Sequence, residues 1–218
     1  MRNVEDAMHQ FVKQRPFLLI IILAVLAACG PTLTPLPYAD DFSNPNSGWK
    51  TVNDPAVKIN YQDGALHFNI PELDTLAWSV PKDKRFGDFV LDVDSAQVDG
   101  PNDNSYGVIF RYVDDRNFYR LDISGDGYFA VFKYKDGKWT KIQDYTETAA
   151  VKQGAATNHL QVIAKGNQFT FNVNDQLVKT FSDSDFANGN IGVTAGTLFD
   201  NADVHIAFDN LRVSELKP

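Results

Sequence analysis

Between residues 38 and 213 the chain alternates apolar and polar positions in short runs, each closed by a turn signal. Runs at 64–70, 89–94, 106–112, 118–123 and 128–134, then 159–164, 168–173, 176–181, 191–195 and 204–213, keep a period of two. They are rich in β-branched and aromatic residues, which predicts strands. Asp126-Gly127, Asp136-Gly137, Gly166-Asn167 and Asn174-Asp175 supply hairpin turns between them. No helical stripe longer than one or two turns follows Cys29. About a dozen strands exceed what one open sheet carries, so two packed antiparallel sheets are expected. No internal repeat points to a propeller.

The alternation also divides the faces. Val108 and Phe110, then Tyr119, Leu121 and Ile123, then Phe129 and Val131, and finally Leu160, Val162 and Ala164 form uniformly apolar phases that belong between the sheets. The opposite phases carry Arg111, Arg120, Asp122, Tyr128, His159 and Gln161. Charged, hydrogen-bonding and aromatic groups on one outer face suit saccharide recognition, with rings against pyranose faces and polar groups on hydroxyls. Arg111, Arg120, Asp122, Tyr128 and His159 are therefore expected to converge on one binding face.

Upstream, residues 17–28 (FLLIIILAVLAA) form an uninterrupted apolar run preceded by Lys13 and Arg15. As a helix it would span about 18 Å, short of the ~30 Å hydrocarbon core, so it reads as a secretory signal rather than a span. Leu26-Ala27-Ala28-Cys29 resembles a bacterial lipobox, which implies acylation of Cys29 and removal of residues 1–28. Residues 29–37 would then be a lipidated, proline-punctuated tether and residues 38–218 one domain. The expected location is the extracytoplasmic cell envelope, with the membrane contacted through lipid on Cys29.

Loss of the signal removes Arg2, Lys13 and Arg15 against Glu5 and Asp6, leaving 17 basic and 26 acidic side chains, a net charge of −9. That balance excludes a nucleic-acid partner, which needs clustered Lys and Arg. With Cys29 as the only cysteine there is no disulfide framework.

Asp40-Asp41-Phe42 with Gly48-Trp49, Asp63-Gly64-Ala65-Leu66, the segment from Tyr106 to Tyr112, Asn117-Phe118-Tyr119-Arg120, and the segment from Phe208 to Val213 resemble the concanavalin A-like lectin/glucanase jelly rolls. More narrowly they are similar to laminin-G-like and 3-keto-disaccharide-hydrolase-like domains. The resemblance implies a jelly-roll sandwich with one concave sheet that takes a carbohydrate in many relatives. It also implies a structural Ca²⁺ where the first and last strands meet, here at Asp40, Asp41 and Asp209. The hydrolytic branch uses a Glu-x-Asp-x-x-Glu strand, whereas Glu72, Glu147 and Glu215 have no such spacing. Asp122, Asp92 and Asp94 are the remaining carboxyls for chemistry that requires two. An ion pair of Asp122 with Arg111 or Arg120 accounts for its position without catalysis.

Asp122-x-Ser124-x-Asp126-Gly127 mimics half an EF-hand, but Lys133 stands where a bidentate Glu is required. It reads as a hairpin turn, and the 99–104 loop is explained by turn chemistry. Trp49 belongs in the sandwich; Trp78 and Trp139 are either packed over hairpins or exposed platforms. His67, His159 and His205 lack metal-ligand spacing. A lectin-like saccharide-binding module is the leading expectation, with a glycoside or 3-keto-glycoside hydrolase, or a non-carbohydrate adhesion module, as alternatives.

Overall fold

A computed structural model describes residues 32–217. Cys29 and the expected signal lie outside the described residues. Fifteen strands and no helix occur among those described: β1 (Tyr38–Asp40), β2 (Val52–Asp54), β3 (Val57–Gln62), β4 (Ala65–Ile70), β5 (Leu76–Ser79), β6 (Phe89–Asp99), β7 (Ser105–Asp114), β8 (Asn117–Ile123), β9 (Tyr128–Lys135), β10 (Lys138–Glu147), β11 (Thr157–Lys165), β12 (Gln168–Val173), β13 (Gln176–Ser182), β14 (Asn190–Gly196) and β15 (Val204–Ser214).

The strands form two antiparallel sheets. One has nine strands, ordered β13-β12-β11-β6-β15-β4-β3-β2 with β1 also on β15; the other has six, ordered β10-β9-β8-β7-β14-β5. The all-β, two-sheet expectation holds, consistent with a jelly-roll sandwich. The core is the apolar phase of both sheets: Val108, Phe110, Tyr119, Leu121 and Val131 from one, Leu160, Val162, Ala164 and Phe208 from the other. Period-two alternation is plainest in β6, β11 and β12, which have one dry and one wetter face, whereas β7, β8 and β14 are buried over most of their length.

Residues 32–37, expected as free tether, are in part laid on the sandwich. Thr34 donates its N–H to Arg85 O (2.7 Å) and accepts Arg85 N–H at Oγ1 (2.9 Å), while Leu36 packs against the core. Leu36 gives this stretch an apolar side chain to bury, whereas Leu33 stays exposed.

Candidate functional site

Cross-strand register places side chains of the six-stranded sheet in rows on its outer face. One row joins Lys141 of β10, Phe132 of β9, Arg120 of β8 and Ile109 of β7 to Gly192 of β14. The next joins Asp122 to Gly107 and Gly107 to Thr194. β7 and β8 approach so closely there that a Cβ on Gly107 would sit 2.0 Å from Leu121 O, so only glycine fits.

Above these rows the rings touch one another. Trp139 stacks on Tyr134 (centroids 4.4 Å, 28°) and meets Phe118 (5.8 Å) and Phe132 (6.0 Å) edge-on. Phe118 also contacts Trp78 (5.5 Å) and Tyr112 (5.8 Å). The Arg120 guanidinium lies 5.4 Å from the Phe132 centroid and 5.5 Å from that of Trp139, a cation–π geometry.

Arg120 and Asp122 form a forked ion pair: Nε donates to Oδ1 at 2.7 Å and Nη2 to Oδ2. Nη2 also donates to Ser105 Oγ (3.1 Å), and the Tyr145 hydroxyl donates to Asp122 Oδ2 (3.1 Å). Asp122 is fully buried. Burial pushes its carboxyl above the ordinary value, against the lowering pull of Arg120. Burial alone would lower Arg120, but the charges of Asp122 and Tyr145 and the hydrogen bonds to Asp122 together outweigh it, and the net direction is upward. The Tyr145 hydroxyl is raised by burial and then by the Asp122 charge.

Beside this pair opens a cleft of about 420 Å³. Trp139, Phe132 and Lys141 line one side, Asp74, Leu76 and Leu198 the other, with Arg120, Ser105 and Tyr145 also in its lining. Its size falls within the usual range for small-molecule sites. Trp139 remains 44% exposed at the cleft. The far wall is tied together by Thr75 N–H to Thr197 Oγ1 (3.0 Å), Thr197 Oγ1 to Glu72 O (2.7 Å) and Asp74 N–H to Leu198 O (3.2 Å).

The five residues expected to converge do not all meet. Arg120 lines the cleft with Asp122 buried behind it as its ion-pair partner, and Tyr128, at the start of β9, lines a compartment that adjoins it. Arg111 is instead fully buried and faces inward. It is the extra residue of a β-bulge: Phe110 pairs with Ile191 and Tyr112 with Asn190, and Arg111 between them takes φ 51°. The bulge turns its guanidinium onto Phe89 (5.4 Å) and Phe169 (5.9 Å), where it donates to Gly87 O and to Asp88 Oδ1 (3.1 Å).

His159 lies on the other sheet. β11 pairs with β6 rather than with β10, so Nδ1 meets Asp94 Oδ1 (2.8 Å) and Nε2 meets Asp92 Oδ1 (3.3 Å). Residues 148–156 carry the chain between sheets, and neighbours in sequence there are not neighbours in space.

Asp40, Asp41 and Asp209 do not assemble a calcium site. Among the described residues no three His, Cys, Asp or Glu side chains form a metal-holding group. Asp40 spends its oxygens on Trp49 Nε1 (2.9 Å) and Phe42 N–H (2.9 Å), and Asp41 bonds Ser43 (2.6 Å). Asp209 accepts the N–H of Asn210 (2.6 Å). These aspartates fix turns and the first tryptophan, and although carboxylate oxygens suit Ca²⁺, they do not gather into one cation-holding group.

The sequence reading missed Ser105, Phe132, Lys141 and Tyr145 as site residues. Three of the four lie where alternation is weak or interrupted: Ser105 begins its strand, and β10 shifts register between Lys141 and Gln143 and again between Gln143 and Thr146. The Asp136-Gly137 turn was the available signal, since a hairpin turn after β9 requires a returning strand.

The family model of the 3-keto-alpha-glucoside-1,2-lyase-like domain matches residues 40–214, and the chain belongs to that family. No curated protein sequence matches it. Among solved structures, carbohydrate binding module CBM66 from Bacillus subtilis is similar at 22% identity and TM-score 0.63, over 78% of this chain and 96% of that one. The β-glucanase of Bacillus licheniformis is similar at 12% identity and TM-score 0.62, over 83% and 98% of the two chains. A galectin-like protein of unknown function from Bacillus subtilis follows at 11% and 0.60, over 81% and 94%. At these identities the likeness shows a shared fold.

Proposed function

We propose that the protein binds a saccharide in the cleft beside Arg120 and Asp122, as a binding module that leaves the sugar intact. The observation that carries this reading is Trp139: a partly exposed indole, stacked on Tyr134 and lying over a guanidinium, beside a cleft with polar groups in its lining. An aromatic face with adjacent donors and acceptors matches the two-sided chemistry of a pyranose. The folds of CBM66 and the β-glucanase are compatible with it.

Printing the full-length chain against a glycan array, then titrating the strongest ligand, tests the reading. Trp139→Ala should weaken that ligand at least tenfold, about 1.4 kcal/mol, in a chain that still unfolds cooperatively well above the assay temperature. Equal affinity of the variant would defeat it.

One observation favours turnover instead. Asp122 is a carboxyl raised by burial, hydrogen-bonded to Tyr145 and paired with Arg120, both of which line the cleft, and the family carries a lyase-like description. Against this, both Asp122 oxygens accept from Arg120, Asp122 itself does not line the cleft, and Asp74 on the far wall is the one carboxyl that does. A glycoside consumed by the native chain and spared by Asp122→Asn would convert the module into an enzyme.

We propose in addition that lipid on Cys29 displays the domain from the cell envelope, a reading supported by the short apolar run and the lipobox-like LAAC. Cys29→Ser should abolish fatty-acid labelling in a bacterial host. Undiminished labelling would exclude the anchor.

A further inference from the structure

The cleft does not end at Tyr145. Tyr145 and Leu198 also line a second compartment of about 210 Å³, whose other walls are Asp103, Asn104, Ser124, Asp126 and Tyr128. The two differ in chemistry: the first offers Trp139, Phe132 and two cationic side chains, the second tyrosine rings and two carboxylates with no cation. The second wall is rigidly built. Asn104, fully buried, donates to Gln97 Oε1 (2.9 Å) and Pro101 O (2.7 Å) and accepts the Gly125 N–H (3.1 Å). Asp126 uses one oxygen on Ser124 and Asp103 one on Asn201 Nδ2 (3.2 Å). The second oxygen of each has no side-chain or backbone partner among the described residues, and each can accept a hydroxyl or ammonium hydrogen.

We propose that this compartment is a second saccharide subsite, so that the ligand is a chain of at least two sugar units, and that its carboxylates admit neutral or amine-bearing units there and reject uronic acids. The inference rests on the cleft beside Trp139 being a saccharide site. Tyr128 supplies the ring of the second subsite, as Trp139 does in the first. Burial, and then the charges of Asp126 and Asp200, already hold the Asp103 carboxyl above its ordinary value, so another anion placed beside it meets further opposition.

The test uses the full-length chain on printed neutral, amino and uronic-acid glycans of one to six units. The native chain should favour non-acidic chains at least tenfold over the matching single sugar. Tyr128→Ala should erase that ratio while single-sugar binding persists, and the Asp103→Asn/Asp126→Asn pair should raise uronic-acid signal at least tenfold. Single sugars held as well as chains, or a Tyr128→Ala variant that keeps the ratio, would overturn the second subsite. Uronic-acid chains held by the native protein as well as neutral ones would overturn the selection. No signal from the native chain on any glycan would defeat the cleft reading itself and the subsite with it, whereas Trp139-dependent binding without length dependence defeats the subsite alone.

Discussion

The outer face of the six-stranded sheet gathers Trp78, Tyr112, Phe118, Phe132, Tyr134 and Trp139 over a sealed Arg120–Asp122 pair, whereas the outer face of the nine-stranded sheet carries a chain of polar side chains open to water. On that second face Asn172 donates to Gln161 (2.8 Å), Gln161 to Asp92 (2.8 Å), His159 bridges Asp92 and Asp94, and Asn210 donates to Asp94 (3.1 Å). The second face also holds the larger depression, about 860 Å³, yet no aromatic ring lines it; Val90, Ile163, Lys165 and Arg212 do, with Glu215 to Lys217 along one side. Glycine makes the same division: Gly107, Gly192 and Gly196 all lie in strands of the six-stranded sheet, and no strand of the other contains one. Volume alone is therefore a poor guide. Rings, close backbone approach and a desolvated charge pair distinguish the face proposed to hold a ligand from the polar face of the other sheet.

Stability should separate the two faces most strongly. Arg120→Ala leaves Asp122 buried without its counter-charge, and breaking a buried pair costs about 3–5 kcal/mol. Asp92→Asn on the hydrated face keeps its shape and loses an exposed pairing worth ~1 kcal/mol or less. Urea unfolding of both variants checks the contrast. Adding Asp122→Ala to Arg120→Ala should recover part of the loss, because the stranded charge is then removed as well. Equal losses from Arg120→Ala and Asp92→Asn would erase the distinction.

The same contrast sorts what alternation revealed from what it concealed. Phe110, Leu121, Val131 and Val162 are legible as core because each sits in an unbroken period of two with a dry phase. Arg120 and Asp122 are legible as outward for the same reason, although nothing in their spacing reveals that rings and Tyr145 close over them. Arg111 defeats the reading because a single extra residue at φ 51° shifts the phase, and a bulge leaves no mark in composition. His159 defeats it differently: its phase is right, but which sheet receives β11 depends on a crossover that local pattern does not encode. Tyr145 lies in the irregular strand β10, where two register shifts interrupt the period.

A smaller effect separates two histidine groups within the hydrated face itself. Burial alone would lower His159, but its hydrogen bonds to Asp94 and Asp92 outweigh that and hold it above its ordinary value. A raised value means that the folded state favours the imidazolium, so this contribution is full below the ordinary histidine range, about 6.5, and fades as pH rises through the folded value. His67 and His205 are the opposite case. Nδ1 of the first and Nε2 of the second share a hydrogen bond at 2.8 Å. Burial lowers His67 despite Asp63, and burial together with the charge of His67 lowers His205 despite Asp99. Their contribution is full above about 6.5 and is lost as pH falls through the depressed values. Melting temperatures measured from pH 5 to pH 9 should therefore diverge in opposite senses. His159→Gln should lie furthest below the native chain at acid pH and approach it as pH rises; His67→Gln should lie furthest below it at alkaline pH and approach it as pH falls. Parallel profiles for either variant would show that its imidazole does not titrate differently in the folded and unfolded chain.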